Sequence, residues 1–172
     1  IFNGTGLGAP LGILKSPGLI TVTKEDTQEN TIVFENIVKM WARLAPACKT
    51  RAVWFVNGEA EAQLTKLVNS VGITAVNAYL PSGDATVTPY LTLMGRPVIP
   101  CEQLPVLGNV GDILLADMSD YIGIDKSGIE NDVSVHVRFL FDEQVLKFRY
   151  RFNGAPYTSA PVLPKNGADT VS

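Results

Sequence analysis

Chemistry-bearing side chains are scarce in this chain of 172 residues, which holds one histidine, two cysteines and three methionines. His136 is therefore the single imidazole open to a Ser-His-Asp or Cys-His arrangement. It sits between Val135 and Val137 in a segment that alternates like a strand, a poor setting for a catalytic base. No C-x-x-C or H-x-x-x-H spacing offers a zinc site. Asp112, Asp117, Asp120 and Asp125 recur, but without the D-x-D-x-D-G loop that calcium requires, and two of them read as turn residues. Glu59 and Glu61 would point to opposite sides of a helix, so they make no carboxylate pair. Cys48 and Cys101 read as unrelated, buried, reduced thiols. No apolar run approaches the roughly 18 residues of a membrane span. No signal-peptide pattern is visible, so synthesis in the cytosol is expected. The expectation is a chain with no catalytic residue, no cofactor and no metal.

What is present suits a packed core. Hydrophobic residues make up 46% and the net charge is −3, which gives no global sign of a nucleic-acid binder. The length fits one domain or one and a half. Everything is organised around residues 91–128, where short apolar runs are bounded by Gly, Pro, Asn and Asp. Those runs predict a mixed sheet from residues 51–56, 93–99, 113–116 and 121–124. Two helices should pack on it. Residues 31–45 place Phe34, Ile37, Val38, Trp41 and Leu44 on one face, with Asn30 or Thr31 as cap and Pro46 as stop. Residues 59–71 follow a cap at Asn57 and carry a stripe of Ala60, Leu64, Leu67, Val68 and Val71, ended by Gly72. Trp41 and Leu64 are expected in the core.

The remaining segments read as turns, loops and a hairpin. Residues 1–18 contain five glycines and two prolines. Gly4, Gly6 and Gly8 lack the preceding strand and the Lys-Ser/Thr of a phosphate loop, so a turn explains them better. Residues 19–23 alternate like a short strand. Two polar loops are expected: residues 77–89, with Pro81, Ser82, Gly83 and Asp84 as a turn, and residues 101–111, with Pro105, Gly108 and Gly111. A long hairpin should pair residues 133–141 with 146–152 around Asp142-Glu143-Gln144, after which Asn153-Gly154 turns the chain into an extended tail. On its second strand Lys147, Arg149 and Arg151 form a basic stripe opposite Leu146, Phe148, Tyr150 and Phe152. That stripe reads as a solvated face, a subunit contact or a surface toward DNA.

Several stretches carry a resemblance in a consistent order. They are Phe2-Asn3-Gly4-Thr5-Gly6 with Pro10-Leu11-Gly12-Ile13, Trp54-Phe55-Val56-Asn57, Met94-Gly95-Arg96-Pro97-Val98, the run from Gly111 to Asp117, Tyr121-Ile122-Gly123-Ile124, and Phe139 to Gly154. Together they resemble the major capsid proteins of tailed bacteriophages, which have the Hong Kong 97 capsid fold. The resemblance implies an α+β fold: a mixed β-sheet flanked by helices (the axial domain) plus a long β-hairpin (part of the peripheral domain). It implies that residues 1–18 are a peripheral segment after the spine helix, 19–126 the axial domain, and 127–172 peripheral strands and tail. It implies a non-enzymatic structural subunit of a phage or prophage icosahedral capsid. Such subunits self-assemble into pentamers and hexamers that enclose DNA, in a virion assembled in the bacterial host cytoplasm. The implied partners are further copies of the chain and nonspecific packaged DNA, with no membrane and no small-molecule substrate. Loops holding Pro81, Ser82, Gly83, Asp84, Pro105 and Gly108 would approach the ring axis, and Lys147, Arg149 and Arg151 would face a neighbour or DNA. The start at Ile1 implies that an arm, an extended loop and a spine helix lie upstream, so these residues alone should fold but not close a shell. Some members cross-link a lysine to an asparagine near the terminal strands. Here Asp142, Glu143 and Gln144 occupy the matching turn, so that chemistry is not carried over. Alternatives are an encapsulin-like cargo shell, and a small α/β enzyme or ligand-binding domain with a site in loops 77–89 and 101–111.

Overall fold

A computed structural model of the chain describes residues 1–24, 31–64, 68–71, 74–77, 79–80 and 92–162. Helix α1 spans Phe34–Arg43. It is shorter than the expected 31–45. Val33 is its N-cap and makes no side-chain cap bond, so Thr31 does not cap it, and Asn30 lies outside the described residues. Ile37 on its inner face is fully buried, while Trp41 is only half-buried and carries the Lys49 ammonium over its ring at 5.4 Å. Trp41 is therefore a rim residue rather than core.

Strand β1 is Val53–Val56, and helix α2 is Gly58–Leu64. Asn57 links them as expected: its Oδ1 accepts from the Glu59 amide at 3.0 Å, and its amide group donates to the Leu104 carbonyl at 2.9 Å. The helix does not reach residue 71. Strand β2, Val68–Val71, pairs antiparallel with β3, Thr74–Asn77. The stripe was a misleading guide here. Val68 and Val71 fit a helical face, but they are β-branched and flank Asn69 and Ser70, all weak helix formers. Gly72 lies outside the described residues. Strand β4, Tyr79–Leu80, falls within the segment expected to be loop.

The expected strand 93–99 is a hairpin. Strand β5, Thr92–Leu93, turns through Met94 and Gly95 into β6, Arg96–Pro100. Both turn residues have positive φ, 52° and 72°, the geometry of a tight primed turn whose twist suits the strands it joins. Strand β7 is Ile113–Ala116, as expected. The main sheet has the order β4-β5-β6-β1-β7, with β1 parallel to β6 and antiparallel to β7. Tyr121–Ile124 is not part of it. Those residues open strand β8, Tyr121–Ser134, which among the described residues pairs only with β9, Val145–Pro156.

Strand alternation splits the core in two. Trp54, Val56, Leu93 and Val98 face the helices and meet Ile37, Ala60 and Leu64. Phe55 and Leu114 face the other way, toward Leu104 and the half-buried Phe2, Ile13, Leu14 and Leu19. The glycine-rich N-terminus is thus a strap over the second face. Its backbone doubles back, with Gly12 N donating to Gly4 O at 2.9 Å and Leu14 N to Phe2 O at 3.1 Å. Residues 19–24 are not a strand.

Candidate assembly interface

The β8–β9 ribbon carries the basic stripe. Its register differs from the expected one. Val133 pairs with Leu146, Asp132 with Lys147, Glu130 with Arg149, and Lys126 with Arg151. Asn153 and Gly154 lie inside β9, opposite Ile124 and Gly123, and do not turn the chain. The first strand ends at Ser134, so Val135, His136 and Val137 belong to the connecting loop. A residue count explains the shift. Phe139, Leu140 and Phe141 are three apolar residues in a row, which breaks the period of two, and they form a short 3-10 turn instead.

Directly opposed residues of an antiparallel pair share a face. Lys147, Arg149 and Arg151 therefore share theirs with Asp132, Glu130 and Lys126. Arg149 makes an ion pair with Glu130 at 3.6 Å. The acidic partners were missed in the sequence because they depend on register. The usable signal was Glu130 and Asp132 at a spacing of two, matching the stripe. On the opposite face Leu146, Phe148, Tyr150, Phe152 and Val133 are all exposed, with Phe148 70% accessible. Tyr150 and Phe152 stack with ring centroids 6.4 Å apart. At the far end Val137, Phe139, Leu140 and Phe141 are exposed too, and Arg138 holds Glu143 across the loop at 2.7 Å.

The other expected sites lie elsewhere. Pro105 and Gly108 sit in the loop after β6. That loop is mostly exposed, but Leu104 plugs the second core and Gly108 N donates to Asp112 Oδ2 at 3.0 Å. Pro81, Ser82, Gly83 and Asp84 lie outside the described residues. His136 is exposed in the ribbon loop. Among the described residues no three His, Cys, Asp or Glu stand together as a metal site, and no helix is long and apolar enough to cross a membrane.

A cleft of about 620 Å³ runs between α1, the strap and β7, with Gly108 and Gly111 on its wall. Its lining is largely apolar: Leu14, Leu19, Ile37, Met40 and Leu115 among others. Its charged end is already satisfied. Asp117 pairs with Arg51 at 2.9 Å and accepts bonds from Ser119. Burial works to raise the Asp117 pKa, but the bonds from Ser119 and Arg51 outweigh it and hold the carboxyl below its ordinary value. Cys48 beside it is half-buried, not buried, and burial and the Asp117 and Asp120 carboxylates push its thiol up, so it is not an activated nucleophile. A depressed Asp117 stabilises the fold above the carboxyl's unfolded pKa, and that stability is lost as pH falls through the folded value. Melting temperature measured from pH 6 down to pH 2.5 should therefore fall more steeply in the wild type than in Asp117→Asn. Parallel curves would show the pair to be inert.

Comparison with known proteins agrees with this architecture. Residues 1–166 match the phage capsid family. No curated protein matches the chain. Among solved structures, one described as the capsid of an empty GTA particle computed with C5 symmetry superposes with a TM-score of 0.53 at 18% identity. The match covers 70% of this chain and 40% of that one, so the chain spans about two-fifths of the solved protein's length. The mixed α+β fold is that of a phage capsid protein. With nearly every residue inside the family match, the chain belongs to the phage capsid family.

Proposed function

We propose that the chain is part of a structural, non-enzymatic subunit of a phage or prophage shell, which self-assembles into pentamers and hexamers that enclose DNA. The observation that carries this reading is the uncovered ribbon. A two-stranded ribbon is marginal in water by itself. This one exposes an apolar face of Leu146, Phe148, Tyr150, Phe152 and Val133. Contiguous apolar surface of that kind marks a contact with another molecule. In a shell subunit that contact is a neighbouring part of the shell. The division into residues 1–18, 19–126 and 127–172 belongs to the same proposal, as do the ring-axis loops around Pro81 and Pro105 and assembly in the host cytoplasm.

Electron microscopy and sedimentation of the full-length protein test it: regular closed particles are expected, and a permanently monomeric full-length protein would refute it. The stripe enters here as an interface. Replacing Lys147, Arg149 and Arg151 together with Gln should leave the fold intact, because the one ion pair these residues make among the described residues, Arg149–Glu130, is exposed and worth about 0–1 kcal/mol. Particle yield or DNA content should drop. Wild-type values of both in the triple variant would reduce the stripe to a solubilising face.

A further inference from the structure

The charge on the ribbon is focused at one rung. Two of the three rungs are neutral, Asp132 opposite Lys147 and Glu130 opposite Arg149. The third sets Lys126 directly opposite Arg151. Like charges in that position destabilise a sheet. Neither side chain has an ion-pair partner among the described residues. The ladder also opens there. Between Lys126 and Glu130 the register slips, and Ser127 and Gly128 both take positive φ, 63° and 67°. Bulges of this kind re-aim side chains where a strand meets something else. The result is a hollow of about 110 Å³ lined by Lys126, Glu130, Arg149 and Arg151, three cations around one carboxylate. That volume suits a single oxyanion group.

We infer that this hollow seats an acidic side chain of a second copy of the chain, in a contact that rests on the shell reading above. Charge complementarity selects the occupant. The face from Lys126 to Arg151 carries four cations and two carboxylates, or +2, in a chain of −3, which leaves −5 on the rest of each copy. A nucleic-acid backbone would meet Glu130 and Asp132 on the same face, and these repel phosphates. A single carboxylate entering at the Lys126–Arg151 rung avoids Asp132 and meets Glu130 only where Arg149 already pairs with it. It also removes the repulsion that the free subunit bears, so docking and strand pairing reinforce each other. One such exposed contact is weak. Repeated around a shell it gains by multivalency.

The variant Arg151→Glu separates docking from folding. Within its own subunit the introduced carboxylate would face Lys126 as a favourable cross-strand pair, so the melting temperature of the unassembled protein should hold or rise by about 1–3 °C. Toward a neighbour it presents the wrong sign, so the yield of particles from the full-length protein should fall at least about tenfold. The double variant Lys126→Gln/Arg151→Gln should assemble a few-fold less well, and its yield should respond less to added sodium chloride than the wild type's. If Arg151→Glu is poorly folded, the double variant decides: wild-type yield with wild-type salt response overturns the inference. Arg151→Glu that folds and assembles at the wild-type level also overturns it. Normal particles with reduced DNA would identify the anion as nucleic acid and overturn it as well. If the wild type forms no particles, the shell reading fails and this contact with it.

Discussion

Replacing Trp54 with alanine is expected to lower the stability of the fold by about 3–5 kcal/mol, the largest effect of any single side chain in the sheet. Trp54 is fully buried in β1, between Val98 of β6 and Leu115 of β7. Its ring is enclosed by Ile37, Ala60, Leu64, Leu93 and Val98, contributed by both helices and two further strands. Alanine would leave a cavity that no neighbour can fill without moving a strand or a helix. The indole also does polar work, since Nε1 donates to the Leu93 carbonyl at 3.0 Å in a buried bond. Trp54→Phe separates the two contributions. It retains most of the volume and removes only that hydrogen bond, at a cost of about 1 kcal/mol. Urea denaturation of the two variants checks the ordering. A loss below about 1 kcal/mol for alanine would mean that the helices do not close over this face.

Gly12→Ala should be nearly as damaging, for a different reason. The backbone at Gly12 has φ −76° and ψ 151°, which alanine adopts freely. The obstacle is space. A Cβ there would lie 2.2 Å from the Phe2 carbonyl oxygen and 2.6 Å from the Gly4 nitrogen, both backbone atoms. The strap cannot double back with that atom present. It would lift away and take with it Phe2, whose ring meets Phe55 edge-on at 5.3 Å. Destabilisation of about 3 kcal/mol is expected, with loss of hydrogen-exchange protection at the Ile13 and Leu14 amides, which bond to the first two carbonyls of the chain. Gly8→Ala is the control. Gly8 has φ 69° but nothing within 4 Å of the added atom, so it bears only the strain of a left-handed residue, about 1–2 kcal/mol. Equal losses in the two variants, or full protection in Gly12→Ala, would show that the strap does not depend on close approach.

These two residues also show what could be read in advance. Trp54-Phe55-Val56 is a continuous apolar run ended by a capping Asn57, and run and cap both survive in the structure. The glycines at the N-terminus were legible as a turn, but not as a strap, because the atoms that exclude a side chain at Gly12 belong to residues 2 and 4 only after folding. The ribbon was legible as a period of two along Leu146–Phe152, yet its partner strand was misplaced. Alternation fixes which face a residue takes but leaves the partner open, and residues 121–134, which show no such period over most of their length, took the place. The Val68–Val71 segment failed for the complementary reason: four residues at the C-terminal end of a helical stripe also fit a strand, and pairing with Thr74–Asn77 decided it. The charged rung at Lys126 and Arg151 is a product of that register and could not precede it.

The strap has a consequence in time. Leu11 N donates to Gly154 O at 2.8 Å, and the Tyr121 hydroxyl donates to Leu11 O at 3.0 Å. Leu11 therefore finds these two partners only after residues more than a hundred positions later have been made. At ribosomal speeds of about 5–20 residues per second, that is a wait of roughly 7–30 s. During it the strap has its own doubling and the edge-on contact of Phe2 with Phe55, but not the two bonds that pin Leu11. Long sequence separation of this kind slows folding, because the intervening chain must be ordered before the contact repays its closure. The nascent polypeptide would thus carry a half-seated strap until β9 emerges, a natural window for a chaperone to hold it and for premature contact between copies to be avoided.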